Sequence, residues 1–186
     1  EYMIERMKRL LTRTIWALTK QLEAGDFVPV AYEMRFENGK IDRVDLCKDK
    51  DKVYVKVLDY KTGSKAFDVV ALYHGLQLQL SAYMDAAVKM TQKHYPDSEV
   101  IPAGVFYYRL NDPLVEKKVV GEEEEIWQKV LKELKVDGVM NLKDETLEHL
   151  DHCQVGESAV IPVKYNKNGS LSKNSKVASE QEFEVM

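Results

Sequence analysis

The apolar positions of this chain change period several times, and each change marks an element. Met3, Met7, Leu10, Leu11, Trp16, Leu18 and Leu22 recur at three- and four-residue steps, which predicts an amphipathic helix over 2–24. Gly25 follows the last of them and suits a helix stop. A first strand is expected from Phe27 to Phe36. Asn38-Gly39 is a two-residue hairpin signal, and a second strand runs from Lys40 to Leu46. Ile41 and Val44 break strict alternation there. Lys48-Asp49-Lys50-Asp51-Lys52 reads as a solvated hairpin tip. Val53, Val55 and Val57 then alternate with Tyr54, Lys56 and Leu58 in a third strand that ends near Asp59-Tyr60-Lys61.

Beyond the break at Thr62-Gly63-Ser64, Asp68 is placed to cap a long helix over 69–94, with a stripe of Leu72, Leu76, Leu80, Met84 and Val88. A buried strand is expected over 100–109 and a turn at Asn111-Asp112-Pro113. Glu122 to Lys135 reads as a helix whose leading glutamates suit the positive end of its dipole. A short helix near 144–151 follows, then a loop-rich tail from Gly156 with room for one hairpin. The expected order is α-β-β-β-α-β, a mixed α/β core over 1–115, with 116–186 as a helical appendage and tail of the same domain.

Composition changes this picture little, and charge changes it more. The 186 residues hold 27 Lys+Arg against 31 Asp+Glu, a net charge of −4, which argues against a uniformly basic nucleic-acid binder. That balance is uneven: 36–65 is net +2, whereas 116–157 is net −6 and holds more than the whole surplus. Two cysteines, Cys47 and Cys153, are too few for a disulfide framework and point to a reducing, cytoplasmic setting. No apolar run approaches the length of a membrane span, and no secretory leader is visible.

Three features fall on adjacent parts of the core: Gly39-Lys40-Ile41-Asp42-Arg43-Val44-Asp45, Asp59-Tyr60-Lys61, and Gln77-Leu78-Gln79-Leu80-Ser81-Ala82-Tyr83. Side chains two apart on a strand share a face, so Asp59 and Lys61 project together. A hairpin between strands two and three brings Asp42 beside Asp59. Two adjacent carboxylates repel unless a cation lies between them, and Mg²⁺ is the natural oxygen-seeking candidate. Gln79 and Tyr83 are one helical turn apart and share a face. An isolated Asp-x-Lys is ordinarily a surface ion pair, and an isolated Gln-x-x-x-Tyr is ordinarily helix packing. The combination is what points to chemistry.

Together these segments resemble the RecB-type nucleases of the PD-(D/E)xK superfamily. The closer likeness is to the C-terminal nuclease domain of AddB-type subunits of ATP-dependent helicase/deoxyribonucleases. It extends over residues 12–184 through Ile101-Pro102-Ala103-Gly104-Val105-Phe106-Tyr107-Tyr108, Asn168-Gly169-Ser170-Leu171 and Ser175. The resemblance implies that Asp42 and Asp59 bind the metal with the Tyr60 carbonyl, that Lys61 is the catalytic lysine, and that Gln79 and Tyr83 support the site. It implies a Mg²⁺-dependent DNA exonuclease acting on a single-stranded end, cutting the strand of 5′ polarity, beside an AddA-type helicase–nuclease subunit in double-strand break resection. It leaves Glu33 as either a structural hydrogen-bonding group or an active-site contact. Asp45 is expected to hold Arg43 or a surface partner, and His74 is read as a packing or surface residue.

The family also implies a 4Fe–4S cluster held by four cysteines, one before the core and three after it. Cys47 and Cys153 lack that spacing, and the upstream histidine motif of the RecB-like group is absent. Ends cut inside the cluster-ligand flanks explain both; loss of the cluster is the alternative. The step from Phe36 to Gly39 is also shorter than in relatives. Two other readings remain open: a catalytically silent nuclease fold used for binding or scaffolding, and a different PD-(D/E)xK enzyme such as a phage exonuclease.

Overall fold

The computed structural model describes residues 2–37, 39–62, 68, 78–113 and 123–185. Its elements are α1 (Tyr2–Glu23), β1 (Val28–Phe36), β2 (Gly39–Asp49), β3 (Lys52–Lys61), α2 (Leu78–His94), β4 (Glu99–Arg109), α3 (Glu123–Glu133), β5 (Asp137–Asn141), α4 (Asp144–Leu150), β6 (Val177–Ala178) and α5 (Glu180–Val185). The six strands form one sheet in the order β1-β2-β3-β4-β5-β6. β1, β2 and β3 are an antiparallel meander, as the alternation and the two hairpin signals predict. β3 and β4 run parallel, which requires a long crossover, and α2 lies within it.

β3 is buried along most of its length because both of its faces are covered. Val53, Val55 and Val57 pack with Leu80, Tyr83, Met84 and Ala87 of α2, together with Val105 and Tyr107 of β4. On the opposite face Tyr54 and Leu58 join Phe106 and Tyr108, Ala17 of α1, Leu131 and Leu134 at the end of α3, and Leu147 and Leu150 of α4. The result is helix, sheet, helix, with β3 and β4 at the centre.

Three expectations are changed by packing. The N-terminal half of α1 does not bury its apolar stripe: Met3, Met7 and Leu11 are exposed, and the buried positions are Thr14, Ala17 and Gln21. The apolar packing comes from the C-terminal half of this helix, where Trp16 meets Trp127 of α3 at 4.7 Å between ring centroids. Secondly, 116–186 is more than helices and loops. It supplies β5, antiparallel to β4, and β6, parallel to β5, so it extends the central sheet. Thirdly, Gly25 serves as a close-approach residue. A Cβ there would lie 2.3 Å from the His149 carbonyl oxygen, because the loop after α1 rests on the end of α4. Phe36 pairs directly with Gly39, so the short step between them is a tight hairpin. The break at 63–64, the first turns of the predicted helix over 69–77 and His74 lie outside the described residues.

Candidate active site

β3 sets the site by alternation. Val57, Asp59 and Lys61 share one face, which is the face covered by α2. Asp59 is 3% exposed, and its Oδ2 lies 2.5 Å from the Lys61 Nζ. Lys61 Nζ also donates to Gln79 Oε1 at 3.2 Å, and Gln79 Nε2 donates to the Tyr83 hydroxyl at 2.6 Å. The predicted face-sharing of Gln79 and Tyr83 is thus present, and the pair continues a polar chain from Asp59 through Lys61 into α2. Tyr83 is anchored by an edge-on contact with Phe36 from the first hairpin.

Asp42 reaches the same strand by another route. The paired register of β2 and β3 ends at Arg43↔Leu58, one step before Asp42 would face Asp59. At that step the Asp42 side chain takes over from the ladder: its Oδ2 accepts a hydrogen bond from the Tyr60 backbone N–H at 2.8 Å. The alternation of β2 slips there as well. Ile41, Val44 and Leu46 all pack in the α2-side cluster, whereas Cys47 packs in the other. The imperfect sequence pattern at Ile41 and Val44 marks this slip.

Burial acts to lower the Lys61 ammonium, but its hydrogen bond to Asp59 and the Asp59 charge outweigh it, so the pKa is raised above the ordinary lysine value. The ammonium also sits 5.2 Å from the centroid of the Tyr107 ring, whose π face favours a cation. Tyr107, fully buried on β4, carried no signal in the sequence beyond its place in an apolar strand.

Behind the site lies a charged cluster that alternation alone did not reveal. Arg43 clamps Asp45 through Nε and Nη2, both at 2.7 Å, and Lys56 Nζ lies 2.9 Å from the same carboxylate. The relative exposures of Arg43, Asp45 and Lys56 are 2%, 0% and 8%. Asp45↔Lys56 is a ladder pair, so the β2–β3 register brings them together. Burial alone would raise the Asp45 carboxyl; the charges of Lys56 and Arg43 overcome it and hold it below the usual carboxylate range. Arg43 Nη1 further donates to the Tyr60 hydroxyl at 3.3 Å, which ties this cluster to the residue whose N–H Asp42 holds. Asp45 therefore holds Arg43, as expected. Glu33 turns away: it adopts a φ of 51°, pairs with Lys40 at 2.9 Å, and is largely exposed.

The family model of the PD-(D/E)XK nuclease superfamily matches residues 1–158. The chain belongs to that superfamily. Asp42, followed at a distance by Asp59-Tyr60-Lys61, stands in the order of acidic residue, acidic residue and lysine that the PD-(D/E)XK lettering spells. Over 199 residues the chain is 42% identical to the B-type subunit of the ATP-dependent helicase/deoxyribonuclease of Lachnoclostridium phytofermentans, covering 98% of this chain and 17% of that one. It is 35% identical over 207 residues to the protein of that name from Clostridium novyi, and 34% identical over 210 residues to that of Alkaliphilus metalliredigens. Both matches cover 100% of this chain and 18% of the relative. The chain thus spans less than a fifth of the length of these relatives.

The two cofactors that the family suggests fare differently against the residues present. Two carboxylates and a peptide carbonyl at the end of one strand pair are hard oxygen donors, which fits Mg²⁺. A 4Fe–4S cluster needs four thiolates. The chain has two, a buried Cys47, whose thiol burial pushes up to about 11, and an exposed Cys153, so it does not supply such a cluster's ligands. Among the described residues no helix is long and apolar enough to cross a membrane.

Proposed function

We propose that this domain is a Mg²⁺-dependent deoxyribonuclease that hydrolyses phosphodiester bonds at a single-stranded DNA end. In this reading it acts as the exonuclease part of a cytoplasmic helicase–nuclease complex in double-strand break resection, with an AddA-type subunit as partner. The observation that carries the proposal is the polar chain Asp59–Lys61–Gln79–Tyr83, with Asp42 closing on the Tyr60 N–H beside it. Membership of the nuclease superfamily and the names of the relatives support the rest.

Asp42, Asp59 and the Tyr60 carbonyl would hold the ion. When bound, Mg²⁺ supplies charge stabilisation and a more acidic water. Lys61, held between the Asp59 carboxylate and Gln79 Oε1, presents its ammonium as a positive hydrogen-bond donor toward a phosphate oxygen. Gln79 positions that ammonium through its Oε1, and Tyr83 fixes Gln79. The local excess of positive charge over 36–65 suits a polyanionic substrate.

Digestion of labelled single-stranded DNA with Mg²⁺ tests this directly. Asp59→Ala and Lys61→Ala are each expected to lose at least about a hundredfold in rate. Wild-type rates in both variants would refute the assignment.

A further inference from the structure

On the opposite face of the sheet from Lys61, a second set of donor atoms converges. Asp26, in the loop after α1, accepts from two imidazoles: His149 Nδ1 lies 2.8 Å from its Oδ2, and His152 Nε2 lies 2.9 Å from its Oδ1. Cys47 of β2, 3% exposed, completes the group, with one ligand atom each from Asp26, Cys47 and His149 lying within 4.8 Å of one another. None of these residues takes part in the site described above.

We propose that Asp26, Cys47 and His149 form a three-residue binding site for a thiophilic cation of the Zn²⁺ class, which staples α4 to β2 and the α1 loop; His152, held on Asp26, stands beside the fourth position. A thiolate, imidazole and carboxylate set selects Zn²⁺ over Mg²⁺ or Ca²⁺, which prefer oxygen alone. In a tetrahedral Zn²⁺ site the ligand atoms lie about 3.3–3.8 Å apart, so the donor atoms of Asp26, Cys47 and His149 need to close by only about 1 Å. On binding, the Nδ1 proton that His149 shares with Asp26 moves to Nε2, which faces Asp49, and the thiol proton of Cys47 leaves to solvent.

Three features show that the arrangement is held in advance. Backbone hydrogen bonds run both ways between the loop and the end of α4, from Asp26 N to His149 O and from His152 N to Ala24 O, both at 2.8 Å. Gly25 makes that approach possible, since a Cβ would strike the His149 and Leu150 carbonyls. The other nitrogen of His149 faces the Asp49 carboxylate at 3.8 Å, the outer partner that metal-bound imidazoles commonly have.

Titration of the reduced chain with Co²⁺, followed through the thiolate-to-cobalt charge-transfer absorption, tests the proposal in a Cys153→Ser background that silences the exposed thiol. One Co²⁺ per chain with that absorption is expected, displaced by one equivalent of Zn²⁺ and retained in Asp59→Ala. Asp26 is surface-accessible, so Asp26→Asn leaves the core intact; it is expected to weaken Co²⁺ binding about tenfold or more. Zn²⁺ is also expected to raise the melting temperature of the parent chain and not that of Asp26→Asn. Absence of the thiolate absorption, equal affinity in Asp26→Asn, or loss of the site in Asp59→Ala would each overturn the proposal. None of these readouts depends on nuclease activity.

Discussion

In the proposed function Lys61 is the residue on which the chemistry would turn, and its surroundings decide its charge state. Burial would lower its pKa, but the Asp59 carboxylate wins and the net shift is upward. In the metal-free domain Lys61 is therefore expected to titrate above the ordinary lysine value of about 10.4, and to fall back in Asp59→Asn. An NMR titration of the Lys61 side chain without Mg²⁺ checks this; an unchanged value in Asp59→Asn would contradict it. Asp45 carries an equally sharp expectation for stability. Asp45→Asn leaves Arg43 and Lys56 buried without their counter-charge, a loss of about 3–5 kcal/mol measurable by urea denaturation. Its folded pKa is depressed, so its contribution is full above the unfolded value of about 3.9 and is lost as pH falls through the folded one. The parent's acid limb of stability should accordingly be steeper than the variant's.

At the scale of elements, the hairpins and the α2 face were legible in the sequence because each rests on a local rule. Alternation put Asp59 and Lys61 on one face, and helical spacing put Gln79 with Tyr83. The slip in β2 was visible only as a broken pattern; that it frees the Asp42 carboxylate to hold the Tyr60 N–H depends on where the β3 ladder ends. Gly25 shows a local rule that reached the right boundary while missing the cause. It follows α1, yet its need for no side chain comes from α4, more than a hundred residues away. Gly25→Ala is expected to cost about 1–3 kcal/mol by pushing the loop off α4. A thermal melt checks it; a change within error would mean that the loop yields freely.

For the molecule as a whole, β5 and β6 join 116–186 to the sheet that carries the candidate site, and Trp127 of α3 packs at a tilt against Trp16 of α1. One cooperative unfolding transition is therefore expected, with coincident midpoints by tryptophan fluorescence and far-ultraviolet circular dichroism. Separated midpoints would show that the C-terminal part folds on its own. The sequence by itself determined the meander, a helix between β3 and β4 and the α2 face of the candidate site, because these follow from periodicity and short-range spacing; the superfamily followed from the resemblance its combined motifs carry. Only the tertiary structure decided that β5, five residues with a glycine and no length to show a period, is a sheet strand. It also decided that the N-terminal half of the α1 stripe faces outward, that Arg43, Asp45 and Lys56 share one buried cluster, and that Asp26, Cys47 and His149 meet. Each depends on register or contact between distant segments, and local pattern cannot encode which of two faces a neighbour will cover.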